Sequence, residues 1–257
     1  MNRFFAFHIY ILLIFIVGCS GDARATPDEP LEILFIGNSY TFINDMPGTF
    51  TKIAELGGHQ VNVISLARGG FSLARHAEDQ VTLTTLKDQG WDFVILQEKS
   101  DIPAIPQERD ESMYPSIRQL NNLVEEQGGE TILFLTWAYW DGLPESGLSD
   151  YKEMQAEVAA SYQTIGNELN VRVAPVGIVW EKVIKRDPQL GLWMADGSHP
   201  TPLGSFLTAN VLYAVIFNES PLNIPYVGEG IGEDTANLIK QITNETVIED
   251  PGTWNLP

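Results

Sequence analysis

The sequence predicts an α/β protein, a three-layer, doubly wound parallel sheet of about five strands with helices on both faces. Three observations predict it. Apolar runs of strand length alternate with amphipathic stretches of helix length along most of the 257 residues. Those runs are nearly continuous in Ile, Val, Leu and Phe, the pattern of strands buried on both faces. No internal repeat or second domain interrupts the alternation, so a single core suffices.

Taken in order, the strands fall at LEILFIG (31–37), QVNVISL (60–66), DFVILQ (92–97), TILFLTW (131–137) and VRVAPVG (171–177). Helix-like segments lie near 46–57, 73–89, 111–127, 151–169 and 178–186, with two more near 201–217 and 233–243. Repeated strand and helix means βαβ crossovers. The domain occupies 31–257, its regular part reaching about Asn244 and a tail marked by Pro251 and Gly252 following. In open parallel sheets ligands bind outside the carboxyl ends of the strands, so chemistry is expected there.

The chain opens with Arg3 and then an apolar run from Phe4 to Gly18, broken by His8. That run is short for a membrane span and suits a secretory signal over residues 1–18. It ends in Ile16-Val17-Gly18-Cys19-Ser20, which resembles a bacterial lipobox. The resemblance implies cleavage before Cys19 and lipidation of its thiol, placing the protein in the cell envelope by a lipid anchor. An ordinary cleaved signal or an uncleaved anchor are the alternatives. Residues 19–30 then read as a small, polar, proline-bearing tether.

Thirty-four acidic against fifteen basic side chains give a formal net charge of −19. Such a surface repels phosphate backbones and argues against nucleic-acid partners. It also disfavours docking on anionic lipid, so membrane attachment falls to Cys19. Cys19 is the only cysteine, which excludes an internal disulfide or a cysteine-based metal site. No histidine pair or calcium loop suggests a metal, and no glycine-rich phosphate loop suggests a nucleotide, so no cofactor is expected.

Directly after the first strand comes Gly37-Asn38-Ser39-Tyr40-Thr41. Gly37 permits a sharp turn that would expose the Ser39 hydroxyl. By itself such a serine is more often a turn residue or a helix cap. To act as a nucleophile it needs a base and donors for an oxyanion. Four histidines are available. His8 lies in the signal, and His59 lies at the amino end of a strand. His76 follows the second strand, and His199 stands in Asp196-Gly197-Ser198-His199-Pro200. In a tight turn the Asp196 carboxylate can hold the His199 imidazole. A polar turn capping the next helix explains the same residues.

The blocks together resemble the SGNH/GDSL hydrolases, and more closely a bacterial subgroup with GNS, GG and LQE blocks. The likeness runs from Ile33 to about Leu212. It implies a flavodoxin-like SGNH hydrolase fold and an ester-cleaving triad of Ser39, Asp196 and His199, working through an acyl-enzyme. It also implies oxyanion donors from the Ser39 N–H, from the glycine of Arg68-Gly69-Gly70 (Gly70, with Gly69 the alternative), and from the third block. There the family's asparagine is replaced by Gln97, one methylene longer. Asn38 stands where many relatives carry aspartate. Asn38, His76 and Trp137 are candidate substrate contacts. Trp137, Tyr139 and Trp140 follow the fourth strand at the ligand edge, where aromatic faces stack on a sugar or simply pack a loop. Glu98 and Asp101 could bind a hydroxyl. The expected substrate is a small-molecule or glycan ester, with O-acetyl groups on glycans favoured. A ligand-binding protein without turnover and an acyltransferase are the two rival functions.

Overall fold

The computed structural model describes residues 29–257. The signal-like segment, Cys19 and nearly all of the tether lie outside the described residues. Five parallel strands form one sheet in the order β2-β1-β3-β4-β5. They are β1 (Leu31–Ile36), β2 (Val61–Ser65), β3 (Phe93–Leu96), β4 (Glu130–Phe134) and β5 (Arg172–Ala174). The register pairs Phe35 with Ser65 on one side and with Ile95 on the other, and Leu96 with Leu133.

Burial explains the composition of each strand. Ile33 to Ile36, Val94 to Leu96 and Ile132 to Phe134 are wholly buried because helices cover both faces of the central strands. At the sheet edge β2 needs fewer apolar residues, and Asn62 and Ile64 are exposed there.

The helices sort into two layers. On one face, α2 (Met46–Leu56) packs against α9 (Pro202–Phe217), which also contacts α8 (Val176–Arg186) and α10 (Glu233–Thr243). The apolar character of α9 runs right round the helix, since it is enclosed by the other three and buries every residue from Gly204 to Ile216. The other face carries α3 (Leu73–Glu78), α4 (Gln80–Asp88), α6 (Tyr114–Glu126) and α7 (Tyr151–Leu169). Two one-turn helices, α1 (Ser39–Phe42) and α5 (Pro106–Glu108), lie in the loops after β1 and β3. Strand order reverses between β1 and β3, which opens a crevice at their carboxyl ends.

Three details differ from the expectation. The helix expected over 73–89 is broken at Asp79, whose backbone is extended. The Asp79 carboxylate accepts from the Thr82 N–H at 2.8 Å and pairs with Arg68 at 2.8 Å, so it caps a new helix. The fifth strand stops at Ala174, and Pro175 leads directly into α8. The segment after Asn244 is packed: Val247, Trp254 and Leu256 are buried, and the Trp254 indole N–H donates to the Thr246 carbonyl. Asn255 also donates to the Val171 carbonyl beside β5.

Because Trp254 fills a dry site, Trp254→Ala is expected to lower the unfolding free energy by about 3–5 kcal/mol, read from urea unfolding. A change below 1 kcal/mol would show that the tail is dispensable.

Candidate active site

At the head of β1 the chain turns at Gly37, which is buried among side chains. A Cβ there would lie 2.5 Å from Oε1 of Gln97 and 2.6 Å from Oγ1 of Thr41, so only glycine fits. Gln97 occupies the matching position after β3. Its Oε1 accepts from the Asn38 N–H at 2.8 Å and from the Thr41 hydroxyl at 2.9 Å, and its amide donates to the Glu98 carbonyl. The Asn38 side chain accepts from the Tyr40 N–H at 3.1 Å and donates to the Phe71 carbonyl at 3.0 Å. Residues 37–41 are therefore pinned from β3 and from the loop after β2. Ser39, the first residue of α1, is the only partly exposed residue among them.

A short hairpin faces this turn. Trp193 bridges to Pro200, the Met194 N–H donates to the His199 carbonyl at 2.8 Å, and the tip carries residues 195–198. Within it the Asp196 carboxylate accepts from the N–H groups of Ser198 and His199, both at 3.0 Å. Its other oxygen lies 2.6 Å from His199 Nδ1. The hydrogen bond from His199, and next those from the backbone, hold the Asp196 carboxyl below the usual carboxylate range. On its far side His199 Nε2 lies 2.9 Å from Ser39 Oγ. With Asp196 accepting at Nδ1, Nε2 is left as an acceptor, and Ser39 can donate its proton there. Ser39, His199 and Asp196 thus form a continuous hydrogen-bonded line, about 160 residues apart in sequence.

The loop after β2 comes close as well. Arg68 donates its N–H to the Gly37 carbonyl at 3.0 Å, and Phe71 closes a tight turn onto the Arg68 carbonyl at 3.0 Å. Gly70 takes φ +68°, the left-handed conformation that favours glycine at this turn position. Among the described residues neither the Gly70 N–H nor the Ser39 N–H donates to another protein group.

Five sequence expectations are corrected. Gln97 is fully buried, its Oε1 accepting from the turn and its amide donating to the Glu98 carbonyl, so it braces the turn from below and presents no exposed donor to an oxyanion. His76 is also fully buried. Its Nε2–H donates to the Gly37 carbonyl at 2.8 Å, and burial pushes the imidazole pKa down. Trp137 has no exposed surface and cannot touch substrate. The Asn38 side chain is spent on its two backbone partners. Glu98 is buried too, whereas Asp101 pairs with Lys99 at the surface.

The structure also reveals a support that sequence reading missed. Tyr40 stacks on Trp137 with ring centroids 4.4 Å apart, and Trp137 stacks on Trp180 at 4.2 Å. From this column two polar tips reach Ser198, the residue before His199. Tyr40 Oη lies 2.7 Å from Ser198 Oγ, and the Trp137 indole N–H donates to the Ser198 carbonyl at 2.9 Å. Tyr40 directly follows Ser39, and that adjacency was the one available signal. Among the described residues no group of His, Cys, Asp and Glu side chains gathers in a metal-binding arrangement.

No protein-family model and no curated protein matches the chain. Solved structures do. An inferred SGNH hydrolase from Slackia heliotrinireducens is 29% identical, matched over 73% of this chain and all of its own, with a TM-score of 0.63. A DUF4886 family protein from Bacteroides uniformis is 17% identical over 87% of this chain and 96% of its own, with a TM-score of 0.69. A catalytic mutant of an acetylxylan esterase from Geobacillus stearothermophilus is 17% identical over 71% of this chain and 92% of its own, with a TM-score of 0.53. The last two share the fold.

Two stability measurements follow from the buried groups. Gln97→Leu strands the Asn38 and Thr41 donors and is expected to lower the unfolding free energy by about 2–5 kcal/mol. Burial pushes the Glu98 carboxyl up to about 8 from 4.5, although Oε1 accepts from the Leu73 and Lys99 N–H groups. The folded state thus holds this proton more tightly than the unfolded chain. Its contribution is complete below the unfolded carboxyl's range and is lost as pH rises towards 8. Between about pH 5 and pH 8 the urea midpoint of the parent should fall relative to that of Glu98→Gln; parallel profiles would show Glu98 ionised throughout.

Proposed function

The chain belongs to the SGNH/GDSL hydrolase superfamily, and from that premise we propose that it is a serine esterase using Ser39, His199 and Asp196. The observation that carries this reading is the line of hydrogen bonds from Ser39 Oγ through His199 to Asp196, at 2.9 and 2.6 Å. His199 Nε2 takes the proton as Ser39 Oγ attacks the ester carbonyl, and the Asp196 carboxylate steadies the imidazolium that forms. The tetrahedral oxyanion falls to the N–H groups of Ser39 and Gly70, both without an acceptor among the described residues. Collapse of the intermediate breaks the C–O bond as His199 returns the proton to the leaving alkoxide. Water, deprotonated by His199, then releases the acid from the acyl-enzyme.

The favoured substrate is an O-acetylated glycan. Support comes from acetylxylan esterases among the proteins of like fold, and from the tryptophans around the hairpin. The lipobox-like run ending at Cys19 supports a lipid-anchored protein of the bacterial envelope, reaching its substrate outside the cytoplasm.

Hydrolysis of p-nitrophenyl acetate by the parent, Ser39→Ala and His199→Ala tests the reading. The two variants should lose on the order of a thousandfold or more in kcat/KM. Asp196→Asn should lose on the order of ten-thousandfold in kcat, through the wrong imidazole tautomer. A slow rate shared by all four proteins would reject the esterase, and a serine-directed phosphonate that fails to label Ser39 would reject the nucleophile.

A further inference from the structure

Beside the triad, on the Asp196 side, lies a surface pocket of about 330 Å³ that the ester chemistry leaves unused. Two turns build it. Tyr139 to Gly142 form a tight turn closed by the Gly142 N–H on the Tyr139 carbonyl at 3.1 Å, which puts Trp140 and Asp141 at its tip. The Trp140 N–H donates to the Gly197 carbonyl at 2.8 Å and locks this tip to the hairpin carrying Asp196 and His199. From that hairpin Met194 joins the wall, and Trp193 forms the floor.

The exposure of these residues is unusual for their chemistry. Trp140 is 56% exposed and Met194 46%, side by side at the pocket. Trp140 is nonetheless held in place: it meets Trp193 edge-on-face at 5.1 Å, and Trp193 is fixed by its indole N–H on the Ala138 carbonyl at 3.1 Å. An ordered indole kept in water is a stacking surface waiting for a partner. Next to it the Asp141 carboxylate makes no hydrogen bond or ion pair among the described residues and can accept from hydroxyl groups. Asp196 borders the pocket as well, and the whole protein is strongly acidic. An anionic ligand would meet repulsion from both carboxylates.

The direction relative to the triad is informative. Asp196 is one imidazole ring away from Ser39, with hydrogen bonds of 2.9 and 2.6 Å on either side of that ring. In acyl transfer the imidazole hands its proton to the departing oxygen, so the alcohol portion of an ester lies on the histidine side of the serine. The pocket lies on that side, since Asp196 itself lines it.

Resting on the esterase reading for its place in catalysis, we propose that Trp140, Met194 and Asp141 form a subsite for a neutral pyranose ring in the alcohol portion of the substrate. The indole stacks on the sugar face, and Asp141 accepts from its hydroxyls. Trp140 thereby sets selectivity for glycan esters over simple aryl esters.

Two measurements on the same proteins test this, using the parent, Trp140→Ala and Trp140→Tyr. Calorimetric titration with xylotetraose, cellotetraose and tri-galacturonic acid reads the subsite without any catalysis. A neutral oligosaccharide should bind the parent, about tenfold or more weaker to Trp140→Ala, with most of the affinity regained in Trp140→Tyr. The acidic oligosaccharide should bind least. Absence of binding by both neutral sugars, or equal binding by all three proteins, overturns the subsite even if esterase activity is present. The second measurement is the ratio of kcat/KM for acetylated xylo-oligosaccharides to that for p-nitrophenyl acetate. It should fall about tenfold in Trp140→Ala, chiefly through KM, and an unchanged ratio also overturns the proposal. Sugar binding that depends on Trp140 in a protein without Ser39-dependent hydrolysis would reject the esterase and keep the subsite.

Discussion

Two donors of the turn after β1, the Asn38 N–H and the Thr41 hydroxyl, converge on one buried acceptor, Oε1 of Gln97. The Gln97 backbone is itself fixed by the β1–β3 ladder, its N–H donating to the Ile36 carbonyl at 2.9 Å. A buried polar group left without its partner costs more than the paired one contributes, so this junction has one low-energy arrangement. Ser39 inherits its position from it. The loop of Gly69 and Gly70 does so at one remove, because it hangs on the Gly37 carbonyl and on the Asn38 side chain. Where the family pattern places an asparagine that reaches the oxyanion, this chain uses the longer side chain to fasten the turn from below.

The hairpin bearing Asp196 and His199 is fixed by a different kind of contact. Its tip has few backbone partners of its own, and stacked rings supply the rest. The column of Tyr40, Trp137 and Trp180 is dry and closely packed, and its two polar tips both end on Ser198. Apolar area gives the column its stability, while the hydroxyl and the indole N–H give it direction. Since Tyr40 also belongs to the turn that carries Ser39, the column couples the two halves of the line from Ser39 to Asp196. Asn44 adds a second tie, donating to the Pro200 carbonyl at 2.9 Å. The 2.9 Å contact between Ser39 and His199 is thus the meeting of two separately braced loops.

Charge is distributed with a purpose that the net value hides. Inside, the Glu98 carboxyl is held towards its neutral form by burial, and His76 likewise. At the surface Asp196 stays ionised because three donors point at it. Surroundings alone push one carboxyl towards its neutral form and the other towards its charged form, the means by which a fold assigns different roles to like groups.

Much of this was legible in the sequence. Continuous apolar runs gave the strands and their burial on both faces, because a central parallel strand has no polar side to show. Ser39 and the Asp196–His199 pair could be marked as candidates because each lies where a strand or a turn meets the ligand edge. Side-chain direction could not be read in the same way. Gln97 and Trp137 follow the carboxyl ends of β3 and β4, and His76 sits in the helix after β2, all on the side where a contact residue should be, yet all three point inward and are buried. Trp140, three residues after Trp137, is the one that faces water. Nothing local distinguishes the two indoles; Trp137 is claimed by Tyr40 and Trp180, which come from distant parts of the chain. The sequence by itself determined the layered fold and the short list of chemistry-bearing residues, since periodicity and residue type are local properties. Only the tertiary structure decided which of them meet and which are spent as supports, because that depends on which buried donor or ring lies opposite each one across the sheet.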